Sequence, residues 1–128
     1  MSIFTGYDKG VRLQGPVTNL PDALVANALV IFQISNFAQL VGTKSVIIKR
    51  IKMWNNAAGN TTVIIGTGAG AGFNPLLMVP LYILNGMTDD YPENDIPEVE
   101  FFADITAYPT ALVALGSIDI QVEVEEIG

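Results

Sequence analysis

The sequence predicts an all-β protein: an antiparallel β-sandwich, jelly-roll-like, with an extended N-terminal arm. Three observations predict it. Ser117 to Glu125 alternates without exception, with Ile118, Ile120, Val122 and Val124 apolar and the residues between them polar. Side chains of a strand point alternately to its two faces, so this is a strand with one dry and one wet side, and the dry side needs a second layer to cover it. Six or seven short runs of this kind are separated by turn signals at regular spacing. Seven prolines and twelve glycines supply those turns.

In chain order, residues 1–23 hold Gly6, Gly10, Gly15, Pro16 and Pro21 with apolar residues scattered among them, and no period emerges. They are read as an extended arm, and residues 24–128 as a single sandwich domain. Ile3, Phe4, Tyr7, Val11 and Leu13 are poor choices for a solvated tail, so the arm is expected to lie on a neighbouring subunit. Residues 24–35 give a strand, strongest from Ala28 to Ile34. Ser45 to Trp54 gives another, with Val46, Ile47 and Ile48 buried at its start. Asn55 to Asn60 is rich in residues that tolerate turns, and Thr61 to Ile65 returns as the second arm of a hairpin.

Gly66 to Asn74 is a glycine-rich loop. Pro75 to Leu84 is apolar almost throughout, but Pro80 in its middle fits an edge or bulged strand better than a helix. Asp89 to Pro97 reads as an acidic loop. Glu98 to Thr106 alternates again, with Phe102 as the apolar exception on its polar side and a candidate partner contact. Tyr108-Pro109 marks a turn, and Ala111 to Leu115 is a short strand or a helical turn before the closing strand.

Composition restricts the chemistry. There is no cysteine and no histidine, hence no thiolate or imidazole ligand, nucleophile or base. No signal-peptide pattern opens the chain, and the longest apolar runs are too short to span a bilayer as a helix, so no membrane partner is expected. Half the residues are hydrophobic and only 15% are charged, against a typical ~25%, an excess that points to surface covered by partners. Net charge is −7, with all six basic residues in the first 52 positions. Phosphate repulsion works against so acidic a chain, so no nucleic-acid partner is expected. The segregation implies charge matching within the fold or between subunits, with Arg50 and Lys52 facing cross-strand acids or an acidic neighbour.

Two stretches imitate catalytic or binding motifs. Val63 to Ala71 reads strand, then Gly-x-Gly-x-x-Ala, as in a dinucleotide site. That site needs a helix directly after the loop, and Asn74-Pro75 and Pro80 deny it, so no cofactor is expected. Asp89, Asp90, Glu93 and Asp95 lack EF-hand spacing, so a solvated loop is expected over a cation site. No pair of acids is drawn into a pocket by any motif, and no enzyme is expected. A binding module of the same fold, such as a carbohydrate-binding, fibre or baseplate component, would need an aromatic platform. Trp54, Tyr82 and Tyr91 are its only candidates, and they are scattered.

Leu20-Pro21, Ile31 to Ile34, Ile48 to Asn56, Thr62 to Gly68 and Gly116 to Val124 together resemble small capsid decoration, or cement, proteins and related head components of tailed bacteriophages. The likeness spans about residues 20–125. It implies a trimeric β-sandwich or jelly roll that binds the outside of a phage head and glues capsid subunits. Its expected partners are copies of itself and a major capsid protein, and its expected place is the virion surface after synthesis in the host cytoplasm. No catalytic residue is carried over.

Overall fold

In a computed structural model, residues 12–20, 28–34, 45–56, 59–83, 86–110 and 118–127 are described. They form ten strands: β1 (Arg12–Gln14), β2 (Thr18–Leu20), β3 (Leu29–Phe32), β4 (Ser45–Asn55), β5 (Thr61–Thr67), β6 (Asn74–Ile83), β7 (Thr88–Tyr91), β8 (Glu100–Phe101), β9 (Ile105–Pro109) and β10 (Ile118–Ile127). All pairing is antiparallel. One sheet runs β1-β10-β4-β7, with β2 beside β10 and β8 beside β4; the other runs β3-β9-β5-β6.

Taking β1 with β2, and β7 with β8, as one position each leaves eight positions. The first then pairs with the eighth, the second with the seventh, the third with the sixth and the fourth with the fifth. This nesting is a single long hairpin rolled into two layers, which is the jelly roll. The tip of the hairpin is the glycine-rich connection between β5 and β6.

The dry faces meet as expected from period two. Ile118, Ile120, Val122 and Val124 are all fully buried, against a core that includes Leu20, Phe32, Ile51, Met53, Val63, Ile65, Phe101 and Ile105. Burying each side chain of this size contributes about 1.5–3 kcal/mol, so these four positions anchor the interior. β6 is an edge strand with irregular register against β5, where its prolines leave no central ladder incomplete.

Four local expectations are corrected. The hairpin of Ser45–Trp54 with Thr61–Ile65 does not form. β4 pairs with β10, β7 and β8, whereas β5 pairs with β6 and β9 in the other sheet. Period two reveals which face is buried and says nothing about which strand lies alongside. The crossing between layers is held by Asn55, whose Nδ2 donates to the Gly59 carbonyl at 2.9 Å and to the Ile83 carbonyl at 3.3 Å. Asp89 and Asp90 stand in β7 instead of a loop, opposite Met53 and Lys52. At Asp90, cross-strand charge from Arg50 and Lys52 outweighs the weak strand preference of aspartate.

Glu98–Thr106 is likewise not one strand. It bends at Phe102–Ala103, so that β8 lies in one sheet and β9 in the other. Tyr108 and Pro109 belong to β9 instead of a turn, with Pro109 its final residue. Of the expected arm, residues 12–20 supply β1 and β2 along β10; residues 1–11 lie outside the described residues, as do 111–117.

Candidate functional site

The two sheets turn chemically opposite outer faces to solvent. The strands of the six-stranded sheet carry Arg12, Lys49, Arg50, Lys52, Asp89, Asp90, Glu100, Asp119, Glu123, Glu125 and Glu126. Those of the four-stranded sheet carry no charged residue at all.

On the charged side the basic N-terminal half meets the acidic C-terminal half within the chain. A bulge opens where Glu123 faces Arg50 and Val124 faces Ile48, leaving Lys49 as the extra residue. Strict alternation would set Lys49 opposite to Arg50. The bulge instead lets its Nζ reach Glu98 at 3.3 Å, Glu93 at 3.5 Å and Glu125 at 3.8 Å. Burial works against the Lys49 charge, but these carboxylates outweigh it and raise its pKa above the ordinary value. Arg12 bonds Glu93 at 3.1 Å and stands 3.4 Å from Glu125, and its pKa is raised chiefly by the Glu93 hydrogen bond. Glu93 is lowered in turn, first by that bond and then by Lys49. Arg50 grips Asp90 through two bonds of 3.0 and 2.6 Å and holds that carboxyl below its usual range.

On the uncharged side, Ile64 pairs with Tyr108 and Val30 with Thr106 across neighbouring strands. Phe73 stands edge-on to Tyr108 with ring centroids 5.2 Å apart. Val30 is 40% exposed and Leu29 38%. At one end of this face, Ala28, Val30 and Ile34 meet Ala69 and Ala103 around an apolar hollow of about 580 Å³. Part of its polar lining is engaged: the Thr106 hydroxyl donates to the Gly68 carbonyl at 2.7 Å, and Oδ1 of Asp104 accepts from the Ile34 amide at 2.9 Å.

Of the interface residues expected from sequence, Phe102 is 69% exposed in the bend beside this hollow. Leu13 instead packs half-buried against the chain's own core, and Arg50 is engaged by Asp90. Lys52 lines a shallow polar groove of about 260 Å³ with Gln14, Gln121 and Glu123. Ile3, Phe4, Tyr7 and Val11 lie outside the described residues. Sequence reasoning missed Val30, Ile64, Phe73 and Tyr108. A usable signal was present, since no charged residue occurs between Met53 and Thr88.

The glycine-rich loop closes in a three-residue 3₁₀ turn, Gly70–Gly72, and leads directly into β6, so no helix N-terminus faces it. Of the four acids weighed as a cation site, Asp90 and Glu93 are engaged by basic side chains. Among the described residues no group of three or more acids is gathered to hold a metal. Trp54 and Tyr91 are half-buried on the charged sheet, and the Tyr82 side chain lies outside the described ones. No helix among the described residues is long and apolar enough to cross a membrane.

No protein-family model and no curated protein matches the chain. Among solved structures it is similar to the coat protein dimer of Tobacco streak virus, at 7% identity and TM-score 0.45, covering 98% of this chain and 91% of that one. A protein of Bacillus endospore appendages, described as disulfide-linked pili, matches at 12% identity and TM-score 0.41, covering 100% and 98%. The extra small virus particle of the prawn Macrobrachium rosenbergii gives 10% identity and TM-score 0.32, covering 98% and 86%. At these values the likenesses carry no functional inference.

Proposed function

We propose that this chain is a non-enzymatic structural subunit of a viral particle, a decoration protein that binds the outside of a phage head as a homotrimer. The observation that carries the reading is the uncharged outer face of the four-stranded sheet. A small domain with no role in association has little reason to keep one whole sheet free of charge while the other is dense with it. The resemblance of residues 20–125 to decoration proteins points the same way, and the jelly-roll strand order is compatible with it.

Magnitude favours an assembly over an isolated pair. Four strands of 4, 7, 10 and 5 residues, about 4.8 Å apart and rising about 3.3 Å per residue, give a face of roughly 410 Å². Two such faces bury on the order of 800 Å² of flat area, below the ~1,200–2,000 Å² of stable standard interfaces. One contact of this kind is weak, and it becomes strong by repetition on a shell, where later contacts are intramolecular. Arg50 and Lys52 lie on the other sheet and are proposed as a separate contact with the shell, while the arm residues Ile3, Phe4, Tyr7 and Val11 are the proposed rim of the uncharged face, supplying register more than affinity.

The test is sedimentation of the purified protein alone and with undecorated phage shells. Wild type is expected to self-associate at tens of micromolar and to pellet with shells. Ile64→Lys, placing a charge at the centre of the uncharged face, is expected to weaken both without lowering the melting temperature. A protein that stays monomeric and binds no shell overturns the reading.

A further inference from the structure

The corner of the uncharged face at β3 and β9 holds both a protrusion and a recess. Phe102 is a large aromatic side chain, 69% exposed, in the two-residue bend between β8 and β9. It does not line the neighbouring hollow, although the next residue, Ala103, does. Exposing a phenyl ring costs solvation free energy that burial would recover, so a ring held out on a short bend fits a contact better than a free surface. The hollow has the opposite character. It is a shallow, open hollow of about 580 Å³, its rim built mostly from small or aliphatic side chains, Val30, Ile34, Ala69 and Ala103 among them, with Asp104 and Thr106 as its polar part.

Building on the assembly reading above, we infer that the occupant of this hollow is Phe102 of a second copy of the same chain. Three features select a copy over another partner. Phe102 is the chain neighbour of Ala103, which lines the hollow, so a symmetry-related copy brings ring and recess close together, and each contact can be made in turn by every copy. Much of the polar lining is already engaged: the Thr106 hydroxyl donates to the Gly68 carbonyl, and Oδ1 of Asp104 accepts from the Ile34 amide. A partner recognised by hydrogen bonding would find few groups free there, whereas an aromatic ring needs none. Finally, each chain carries −7. Copies that met through the acid-rich sheet would repel, and the uncharged sheet is where they approach at least electrostatic cost.

Two substitutions separate the halves of the contact. Phe102→Ala removes the protrusion and leaves the hollow open. Ala69→Trp fills the hollow and leaves Phe102 in place; Ala69 is exposed and has an extended backbone, φ −152° and ψ 160°, that any residue adopts. Neither side chain belongs to the core, so melting temperatures should stay at the wild-type value. Sedimentation equilibrium should show self-association weakened at least about tenfold in each variant, as for an aromatic anchor in its pocket. Mixing the two variants should restore part of it, because the open hollow of one receives the phenyl ring of the other. Weakening without recovery on mixing overturns the exchange of Phe102. So does wild-type association in either variant, or occupation of the hollow by a co-purified small molecule. If Ile64→Lys still abolishes assembly in those cases, the interface on this face stands and only its anchoring fails. If no variant differs from wild type, both readings fall.

Discussion

Arg12 reaches Glu93, 81 residues further along the chain, at 3.1 Å, and the same carboxylate receives Lys49 at 3.5 Å. Glu93 thereby ties the first described strand to β4 from a 3₁₀ turn that follows β7. The network has a defined acid dependence. Glu93 and Asp90 both titrate below their ordinary values of 4.5 and 3.8 in the folded chain. A group depressed on folding binds protons more readily when unfolded, so its stabilisation is present above the unfolded value and is lost as pH falls through the folded one. Stability should therefore drop on acidification from about pH 4.5 downward. Glu93→Gln should flatten part of that drop in melts recorded between pH 6 and pH 3. An unchanged slope would remove Glu93 from the account.

Lys49 and Arg12 titrate above their ordinary values, so their contribution has the opposite sign. It is full below the unfolded pKa and is lost as pH rises through the folded one. Lys49→Met should keep the fold but strip Glu98 of its Lys49 partner and leave Glu93 and Glu125 with Arg12. Its melting temperature should fall with added base less steeply than that of wild type above about pH 10.

Ile120→Ala should cost about 2–5 kcal/mol, because Ile120 is fully buried between the sheets. Asp119→Ala, one residue away on the wet face, loses bonds of 2.9 Å from Asn19 and from Asn56. Exposed bonds contribute little, so about 1 kcal/mol or less is expected. Chemical denaturation of both variants distinguishes the two faces of β10.

Gly66→Ala should be strongly destabilising, whereas Gly72→Ala should be tolerated. A Cβ at Gly66 would stand 2.0 Å from the Asn74 carbonyl oxygen, a backbone atom that cannot turn aside, while one at Gly72 meets nothing within 4 Å. Gly66 thus serves close backbone approach between β5 and β6 beside the hairpin tip. Melting temperatures of the two variants would expose any error in this assignment.

Asn55→Ala should cost about 1–3 kcal/mol, since it strips a buried donor from the Ile83 carbonyl across the layers. Asn55→Asp, of the same size, should recover little of that loss because it replaces the donating amide with an acceptor.

What the sequence by itself determined was local. The alternation of Ser117–Glu125 marks which side chains of β10 are buried, and Pro80 marks β6 as an edge, because side-chain direction and proline's missing N–H act within one strand. The exposure of Phe102 was legible for the same reason, as an apolar residue out of phase with its neighbours. What only the tertiary structure decided was partnership. β4 and β5 are adjacent in sequence, and either could have closed a hairpin; the rolled topology sends them to different sheets, since pairing is settled by the total apolar surface that two layers bury. The bulge at Lys49 and the meeting of Arg12 with Glu93 depend on how β4 and β10 register over their whole length. The uncharged face is divided in the same way. Its composition was written between Met53 and Thr88, but Val30 and Thr106 joined it only when β3 and β9 folded alongside β5.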